Sequence, residues 1–331
     1  MNPLLEAKIE KSKAVLKLAS EMSEHYYHKP IIICYSGGKD SDVLLHLALD
    51  TLKPSEFEVL HSITTVDSPI TNRYVNDTFK SLTEQGVKCS KTIPKTNMWD
   101  LIVEKKYPPT RTVRYCCAEL KEAHTPNRVA VIGVREDEST KRKGRDVFGV
   151  RGGSYSEATF FSLEHTAEVH HEALEKEQEP NGTVWDCTLI KVMREQQDTV
   201  VSPIYEWSDN DVWDYIKAGG WKYNPMYDMG YHRVGCIGCP LATYKQKQKE
   251  FSDFPKYKEL YIKAFDRMLE VNRKTDPTKY GNWKDGKDVY DWWVEEYRHT
   301  TKGQMNITDY MNEQTDEWGL IVRKPSEGVN K

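Results

Sequence analysis

Two groups of residues in this chain have the types and spacing that chemistry requires. The first is the run Ser36-Gly37-Gly38-Lys39-Asp40-Ser41, which follows the apolar stretch Pro30-Ile31-Ile32-Ile33-Cys34-Tyr35. An amphipathic stretch beginning near Asp42, with Val43, Leu44, Leu45, Leu47 and Ala48, comes next and reads as a helix. Two glycines let the backbone turn sharply and bring N–H groups close to an anion. The positive end of the helix adds to this, and Ser36 and Ser41 offer hydroxyl donors. Lys39 supplies a compact cation suited to phosphate oxygens. The run therefore reads as a phosphate cradle, although it lacks the Walker spacing GxxxxGK[ST]. A junction that needs glycine for geometry alone is the weaker reading, because all six positions stand together after a buried-type strand.

The second group is cysteine: Cys116-Cys117 and Cys236-Ile237-Gly238-Cys239-Pro240. Two such pairs can deliver four soft thiolate ligands to one metal centre. Adjacent cysteines suit a tetrahedral zinc knuckle poorly, since neighbouring side chains diverge, whereas in a cluster they can reach two iron atoms. Spacing alone leaves zinc and an iron–sulfur cluster both open, with a redox dithiol third. Seven cysteines in a chain of cytoplasmic character argue against a disulfide framework. Cys34 reads as core, and Cys89 and Cys187 have no assigned role.

The 331 residues are enough for one large domain with an appendage, or for two domains. With 38% hydrophobic and 30% charged residues the chain reads as globular. No apolar run approaches a membrane span. Met1 to Ala19 alternates Lys and Glu with Leu and Ala at helical spacing and does not read as a signal peptide, so a cytoplasmic location is expected. The net charge of -4 gives no global attraction for nucleic acid. Locally, Lys141-Arg142-Lys143-Gly144-Arg145 is strongly basic, and Lys105, Lys106, Arg111, Arg114, Lys121 and Arg128 precede it. A solvated loop and a docking strip for a phosphate-rich partner are about equally good readings of that run.

The elements that must position these groups follow from periodicity. A helix is expected over 4–28, strands over 30–35, 57–64, 87–93 and 129–134, helices over 70–84 and 97–106, and regular structure again over 199–205. Ser208 is placed to cap a helix carrying Asp209 and Asp211 in its first turn. Alternation at this spacing predicts an α/β fold, a doubly wound, mostly parallel sheet, with a helical C-terminal region. Ligands of such sheets bind beyond the carboxyl ends of the strands. That rim should carry the glycine loop, Thr65 and Asp67, and Gly133-Val134-Arg135. The expected organisation is an N-terminal helix over 1–28, a nucleotide-binding domain over 29–245 with an insertion near 151–186, and helices over 246–331. His165, His170 and His171 in the insertion read as a polar surface helix rather than a metal site. Trp292, Trp293 and Tyr297 read as a core or interface stripe.

Over roughly residues 28–245 the chain resembles the phosphoadenosine/adenosine phosphosulfate reductase family, within the adenine nucleotide alpha hydrolases. Besides the glycine loop, the resemblance rests on the stretch from Pro109 to Lys121, on Gly133 to Arg142, on Ser202-Pro203-Ile204-Tyr205-Glu206-Trp207 with Asp211-Val212-Trp213, and on Arg233 to Pro240. It implies an adenine nucleotide-like fold and a pyrophosphate loop formed by Ser36, Gly37, Gly38, Lys39, Asp40 and Ser41. It also implies a 4Fe–4S cluster on Cys116, Cys117, Cys236 and Cys239, in preference to zinc. Two departures matter. Typical reductases end in a catalytic cysteine within a Glu-Cys-Gly-x-His tail, and no cysteine follows Cys239 here. They also tend to lose the loop lysine, whereas Lys39 is present. Both features resemble the sulfur-inserting subunit of DNA phosphorothioation systems.

The resemblance implies an ATP-consuming iron–sulfur sulfurtransferase with Mg²⁺, in which Lys39, Asp40 and Arg135 act on the reacting phosphates. Thr65, Asp67 and Gly133 would complete the nucleotide site, and Arg111, Arg114, Lys121, Arg142 and Arg233 would grip substrate phosphates. Asp40 would either bind Mg²⁺ or order the loop. The expected partners are an adenine nucleotide, a DNA or tRNA substrate, and a sulfur donor such as a cysteine desulfurase or an external thiol. An oligomer stays open. Two other readings compete: a reductase of adenosine phosphosulfate or its 3′-phosphorylated form working with an external thiol, and a non-catalytic nucleotide-binding accessory factor.

Overall fold

The computed structural model describes residues 2–121, 127–139, 142–151, 158–177, 187–275 and 283–295, with short strands at 314–315 and 321–322. Expectations for Lys141 and Tyr297, and for parts of the 151–186 segment, lie outside the described residues. The chain divides into two compact units. The first comprises Met1–Ser62, Pro69–Thr92 and His124–Val234, and the second Ile63–Ser68, Ile93–Ala123 and Gly235–Lys331.

The first unit is built on one sheet. Its strands are β1 (Ile31–Cys34), β2 (Phe57–Ser62), β3 (Lys88–Thr92), β4 (Val129–Val131), β5 (Phe148–Arg151), β6 (Thr159–Phe161) and β7 (Asp198–Val201). Their spatial order is β3-β2-β1-β4-β7-β5-β6. The first five run parallel, while β5 pairs antiparallel with β7 and β6 antiparallel with β5. The mixed α/β, mostly parallel fold expected from the alternation is thus the observed one. Ile31, Ile32 and Ile33 are all buried, as a central strand covered on both faces requires. At the edge, β3 carries exposed Lys88 and Lys91, which discourage pairing with another chain. Because β1 lies between β2 and β4, the winding reverses at its carboxyl end, the usual crevice for a ligand.

Helices α1 (Pro3–Tyr27), α2 (Lys39–Thr51) and α3 (Pro69–Glu84) belong to this unit. Asn2 caps α1 by accepting from the Leu4 amide, Pro3 sits in its first turn, and His28 ends it in the left-handed region. Leu5, Ile9, Ser12, Leu16, Ala19 and Ser23 mark its buried face at helical spacing. Ser12 is polar within that face because its hydroxyl is fully engaged. It donates to Pro203 O at 2.7 Å and accepts from Trp207 Nε1 at 3.0 Å.

Continuing in chain order, α4 (Met98–Lys105) and α5 (Tyr115–Leu120) lie in the second unit, while α6 (Leu163–Glu177), α7 (Thr188–Arg194) and α8 (Asp209–Gly219) lie in the first. The expectation that the histidine-bearing helix is simply a polar surface is corrected by α6. Thr166, Val169, His170 and Ala173 are buried, and Tyr26 hydrogen-bonds His170 Nδ1 at 3.1 Å. Burial pushes the His170 pKa down to about 4.

The second unit also holds α9 (Tyr244–Asp253), α10 (Pro255–Thr275) and α11 (Gly286–Glu295). Its interior is aromatic: Tyr261, Phe265 and Trp293 are fully buried, with Tyr261 and Trp293 ring centroids 4.7 Å apart. Trp293 Nε1 donates to Pro109 O at 2.7 Å, so this indole is core, one of the two readings expected of it. Among the described residues no helix is long and apolar enough to cross a membrane.

Ser12→Ala leaves the Trp207 indole N–H and the Pro203 carbonyl buried without their partner. The expected cost is about 1–3 kcal/mol, read as a lower urea midpoint with an unchanged slope. An unshifted midpoint would show that α1 does not depend on this contact.

Candidate nucleotide site and cysteine group

The glycine loop connects β1 to α2, which begins at Lys39, three residues before the start expected from hydrophobic spacing. The helix gains a turn because Gly38, in an extended conformation, serves as its N-cap. Gly37 has φ +73°, and a Cβ there would stand 2.9 Å from Val75 Cγ2, so the turn needs glycine on both counts. The serine hydroxyls, expected as ligand donors, are engaged by the loop itself. Ser41 Oγ donates to Gly38 O at 2.7 Å and lies 3.2 Å from Ser36 Oγ.

Four charged side chains meet above this loop. Arg135 Nε donates to Asp40 Oδ1 at 2.6 Å, and Lys39 Nζ lies 3.3 Å from Asp40 Oδ2. Asp209, the first residue of α8, places Oδ1 2.9 Å from Lys39 Nζ and 3.0 Å from Arg135 Nη2. Lys39 and Arg135 are 5% and 4% exposed, and cations that deeply placed need such partners. Burial alone would lower the Arg135 pKa, but Asp40, Glu138 and Asp209 outweigh it and hold the guanidinium above its ordinary value. Burial likewise pushes Asp209 up, and Lys39 and Arg135 more than reverse this. Gly133 follows β4 and closes on the same spot, where a Cβ would stand 3.1 Å from Asp40 Cβ. The structure therefore brings together Ser36, Gly37, Gly38, Lys39, Asp40, Ser41, Gly133 and Arg135.

Sequence reasoning missed three residues of this site. Asn224, fully buried, donates from Nδ2 to Gly37 O at 2.8 Å and pins the turn. Tyr227 Oη accepts from the Lys39 amide at 2.9 Å, at the helix start where an anion is expected to bind. Asp209 appeared in the sequence only as a helix-dipole residue. Its signal was the Ser-Asp-Asn-Asp run, in which Ser208 and Asp211 already complete the cap and leave Asp209 without a capping duty.

Of the other expected site residues, two lie in the first unit and five in the second. Arg142 pairs with Glu138 in the first unit. Arg233, at the end of the first unit, is exposed. Thr65, Asp67, Arg111, Arg114 and Lys121 belong to the second unit. There Thr65, at φ +65°, accepts from the Met98 amide at 2.9 Å, and Asp67 accepts from the Thr64 amide at 2.8 Å. Both are engaged with local backbone. Arg111 Nη2 donates to Leu241 O at 2.9 Å.

Cys116, Cys117, Cys236 and Cys239 all fall in the second unit, and none of the four is in a disulfide. The Cys116 pKa is raised, first by its hydrogen bond with Cys117, then by burial and the charges of Cys117, Cys236 and Cys239. Burial pushes Cys236 up to about 12. The Cys236–Cys239 turn is held from the C-terminal helices: Gly238 N donates to Glu250 Oε2 at 2.8 Å and Tyr261 donates to Ile237 O at 2.9 Å. Among the described residues no three His, Cys, Asp or Glu side chains stand in a metal-ligating arrangement. The donor chemistry alone, four soft thiolate-forming side chains with Cys236 and Cys239 on a braced turn, is of the kind a thiolate-held centre takes.

A sequence profile for the phosphoadenosine phosphosulfate reductase domain matches residues 30–242, about two thirds of the chain. The chain belongs to that family. An adenine nucleotide ligand is what the family implies. The chain is 25% identical over 266 residues to an uncharacterized protein of Methanocaldococcus jannaschii, covering 77% of this chain and 46% of that protein. It is 32% identical over 74 residues to the adenosine 5′-phosphosulfate reductase of Anoxybacillus flavithermus, covering 22% of this chain and 31% of the reductase. Among solved structures, the phosphoadenylyl-sulfate reductase of Candida auris gives a TM-score of 0.36 at 13% identity, covering 62% of this chain and 81% of the other. The chain spans about half the length of the first curated relatives it matches, at 46% and 52%.

Within α2, Asp42 is buried and accepts from Tyr35 Oη at 2.6 Å, and burial pushes its pKa from 3.8 to about 7. A carboxyl raised by folding stabilises fully below its unfolded value and loses that contribution as pH rises through the folded value. The stability advantage of the wild type over Asp42→Asn should therefore be largest near pH 4, shrink up to about 7 and stay level above. Chemical denaturation across that range checks this, and a pH-independent difference would refute it.

Proposed function

We propose that this chain is an ATP-dependent sulfurtransferase that cleaves between the alpha and beta phosphates and transfers sulfur to a nucleic acid, DNA or tRNA. The observation that carries the reading is the pair of buried cations, Lys39 and Arg135, at the mouth of a glycine turn that opens a helix. Such an arrangement suits the charge that builds on a pyrophosphate leaving group. Lys39 holds the leaving phosphates, and Arg135 holds the phosphate at the point of attack. Asp40, clasped by both, keeps them oriented. A substrate oxygen attacks the alpha phosphorus and pyrophosphate departs; sulfide-level sulfur then attacks the substrate phosphorus or carbon that carries the adenylated oxygen, and AMP leaves with that oxygen. Mg²⁺ carried by the phosphates would supply further charge neutralisation. Cys116, Cys117, Cys236 and Cys239 would hold a 4Fe–4S cluster, whose chemistry is the binding and relay of sulfide. Resemblance to the sulfur-inserting phosphorothioation subunit supports nucleic acid as the acceptor, with a cysteine desulfurase as a fitting donor. Arg111, Arg114, Lys121, Arg142 and Arg233 are then the candidates for its phosphates.

One finding favours a second reading: the similarity to adenosine 5′-phosphosulfate reductases, at 32% over 74 residues. In that case sulfate arrives already adenylated, and an external thiol reduces it to sulfite with release of the nucleotide.

Anaerobically purified protein incubated with Mg-ATP should release AMP and pyrophosphate. It should release no sulfite from adenosine phosphosulfate, its 3′-phosphorylated form and a dithiol. Sulfite without ATP cleavage would overturn the proposal in favour of the reductase. Lys39→Ala should lower AMP formation by about a hundredfold or more with bound iron unchanged. Cys236→Ser should lose iron while nucleotide affinity stays within about twofold, since the two groups lie in different units. Loss of both properties in both variants would refute the separation.

A further inference from the structure

We infer that Asp209 is a built-in occupant of the ligand's place, an internal anion that a phosphate oxygen must displace, and that it makes the site select metal-complexed phosphates over bare ones. The inference rests on the nucleotide reading above. A single oxygen, Asp209 Oδ1, bridges Lys39 Nζ at 2.9 Å and Arg135 Nη2 at 3.0 Å, as one oxygen of a bound phosphate would. The two carboxylates of the group are not equivalent. Asp40 is held from within, against Gly133, and its side chain is 21% exposed, whereas that of Asp209 is 57% exposed. Asp209 is thus the member that can leave.

Nothing in α8 requires it to stay. Ser208 Oγ accepts from the Asp211 amide at 3.2 Å, and Asp211 Oδ2 accepts from the Ser208 amide at 2.7 Å, completing the cap. Asp211 is further anchored by Lys8 at 2.7 Å. The neighbouring anion position is also covered, since Tyr227 Oη takes the Lys39 amide.

Two cations and two carboxylates make the group electrically neutral. A bare polyphosphate therefore meets no net attraction, and after displacing Asp209 it faces the released carboxylate. A divalent cation carried on the phosphates cancels that repulsion. Asp209 accordingly separates magnesium complexes from metal-free anions, a category that includes phosphosulfates.

Calorimetric titration with inorganic pyrophosphate, in EDTA and in excess Mg²⁺, tests this on the full chain. In the wild type, magnesium should strengthen binding by about tenfold or more, the scale of one charge-assisted hydrogen bond. Asp209→Asn should bind metal-free pyrophosphate about tenfold more tightly than the wild type, and its gain from magnesium should fall below about threefold. Asp209→Ser should behave alike, and a cooperative urea transition in each variant, at a midpoint lowered by the loss of one ion-pair partner, will show that the unit is folded. Unchanged or weaker metal-free binding in both variants, or an undiminished magnesium gain, overturns the inference and leaves the nucleotide reading standing. Absence of pyrophosphate binding by the wild type and both variants in either condition overturns the nucleotide reading and this inference with it.

Discussion

The nucleotide unit depends on keeping two cations charged where water scarcely reaches them. Lys39 and Arg135 are both nearly inaccessible, and an unpaired buried charge is among the costliest features a fold can carry. Asp40 and Asp209 meet that demand through contacts of 2.6 to 3.3 Å. Much of the local architecture follows from it. Gly133 lets the end of β4 come against Asp40, Asn224 holds the Gly37 carbonyl so that the turn opens at the right place, and α8 must start where Asp209 can reach inward. A guanidinium at position 135 also suits the site better than an ammonium would, because its planar fork serves Asp40, Asp209 and the Trp207 carbonyl together.

The cysteine unit solves a different problem. Its four cysteines come from two stretches far apart in sequence, and each stretch needs packing to hold it in place. The helices α9, α10 and α11 provide it: Glu250 and Tyr261 hold the backbone of the Cys236–Cys239 turn, and Trp293 ties α11 to Pro109, a few residues ahead of Cys116. The C-terminal helices are therefore scaffold for the sulfurs, and their aromatic stripe is the core of that scaffold. Two buried polar side chains, Lys247 and Glu250, belong to the same design. Lys247 sits over the Trp293 ring and donates to its carbonyl, while Glu250 accepts from Gly238.

Much of this was legible in the chain itself. The strand, glycine turn and helix around Ser36–Ser41 were readable because each is governed by residues within a few positions: β-branched residues for the strand, glycine for the turn, 3.6-residue spacing for the helix. The parallel sheet followed from alternation, and the Ser208 cap from local hydrogen-bonding chemistry. The helix start was missed by three residues because hydrophobic spacing says nothing about a polar first turn, and Lys39-Asp40-Ser41 is such a turn. His170 was misread for a related reason, since a histidine can be buried when a tyrosine hydroxyl meets its ring nitrogen, and that tyrosine lies on α1.

The sequence by itself determined which chemistry is available: a phosphate loop with its lysine, an arginine after a buried strand, and four cysteines in two pairs. Only the tertiary structure decided how those groups are used. Asp209, Asn224 and Tyr227 reach the loop from far along the chain, and the serine hydroxyls turn inward because the loop needs them for its own shape. The physical reason is one of range. Backbone conformation is set by neighbours in sequence, whereas the partner of a buried charge is whichever side chain the packed fold brings within about 3 Å.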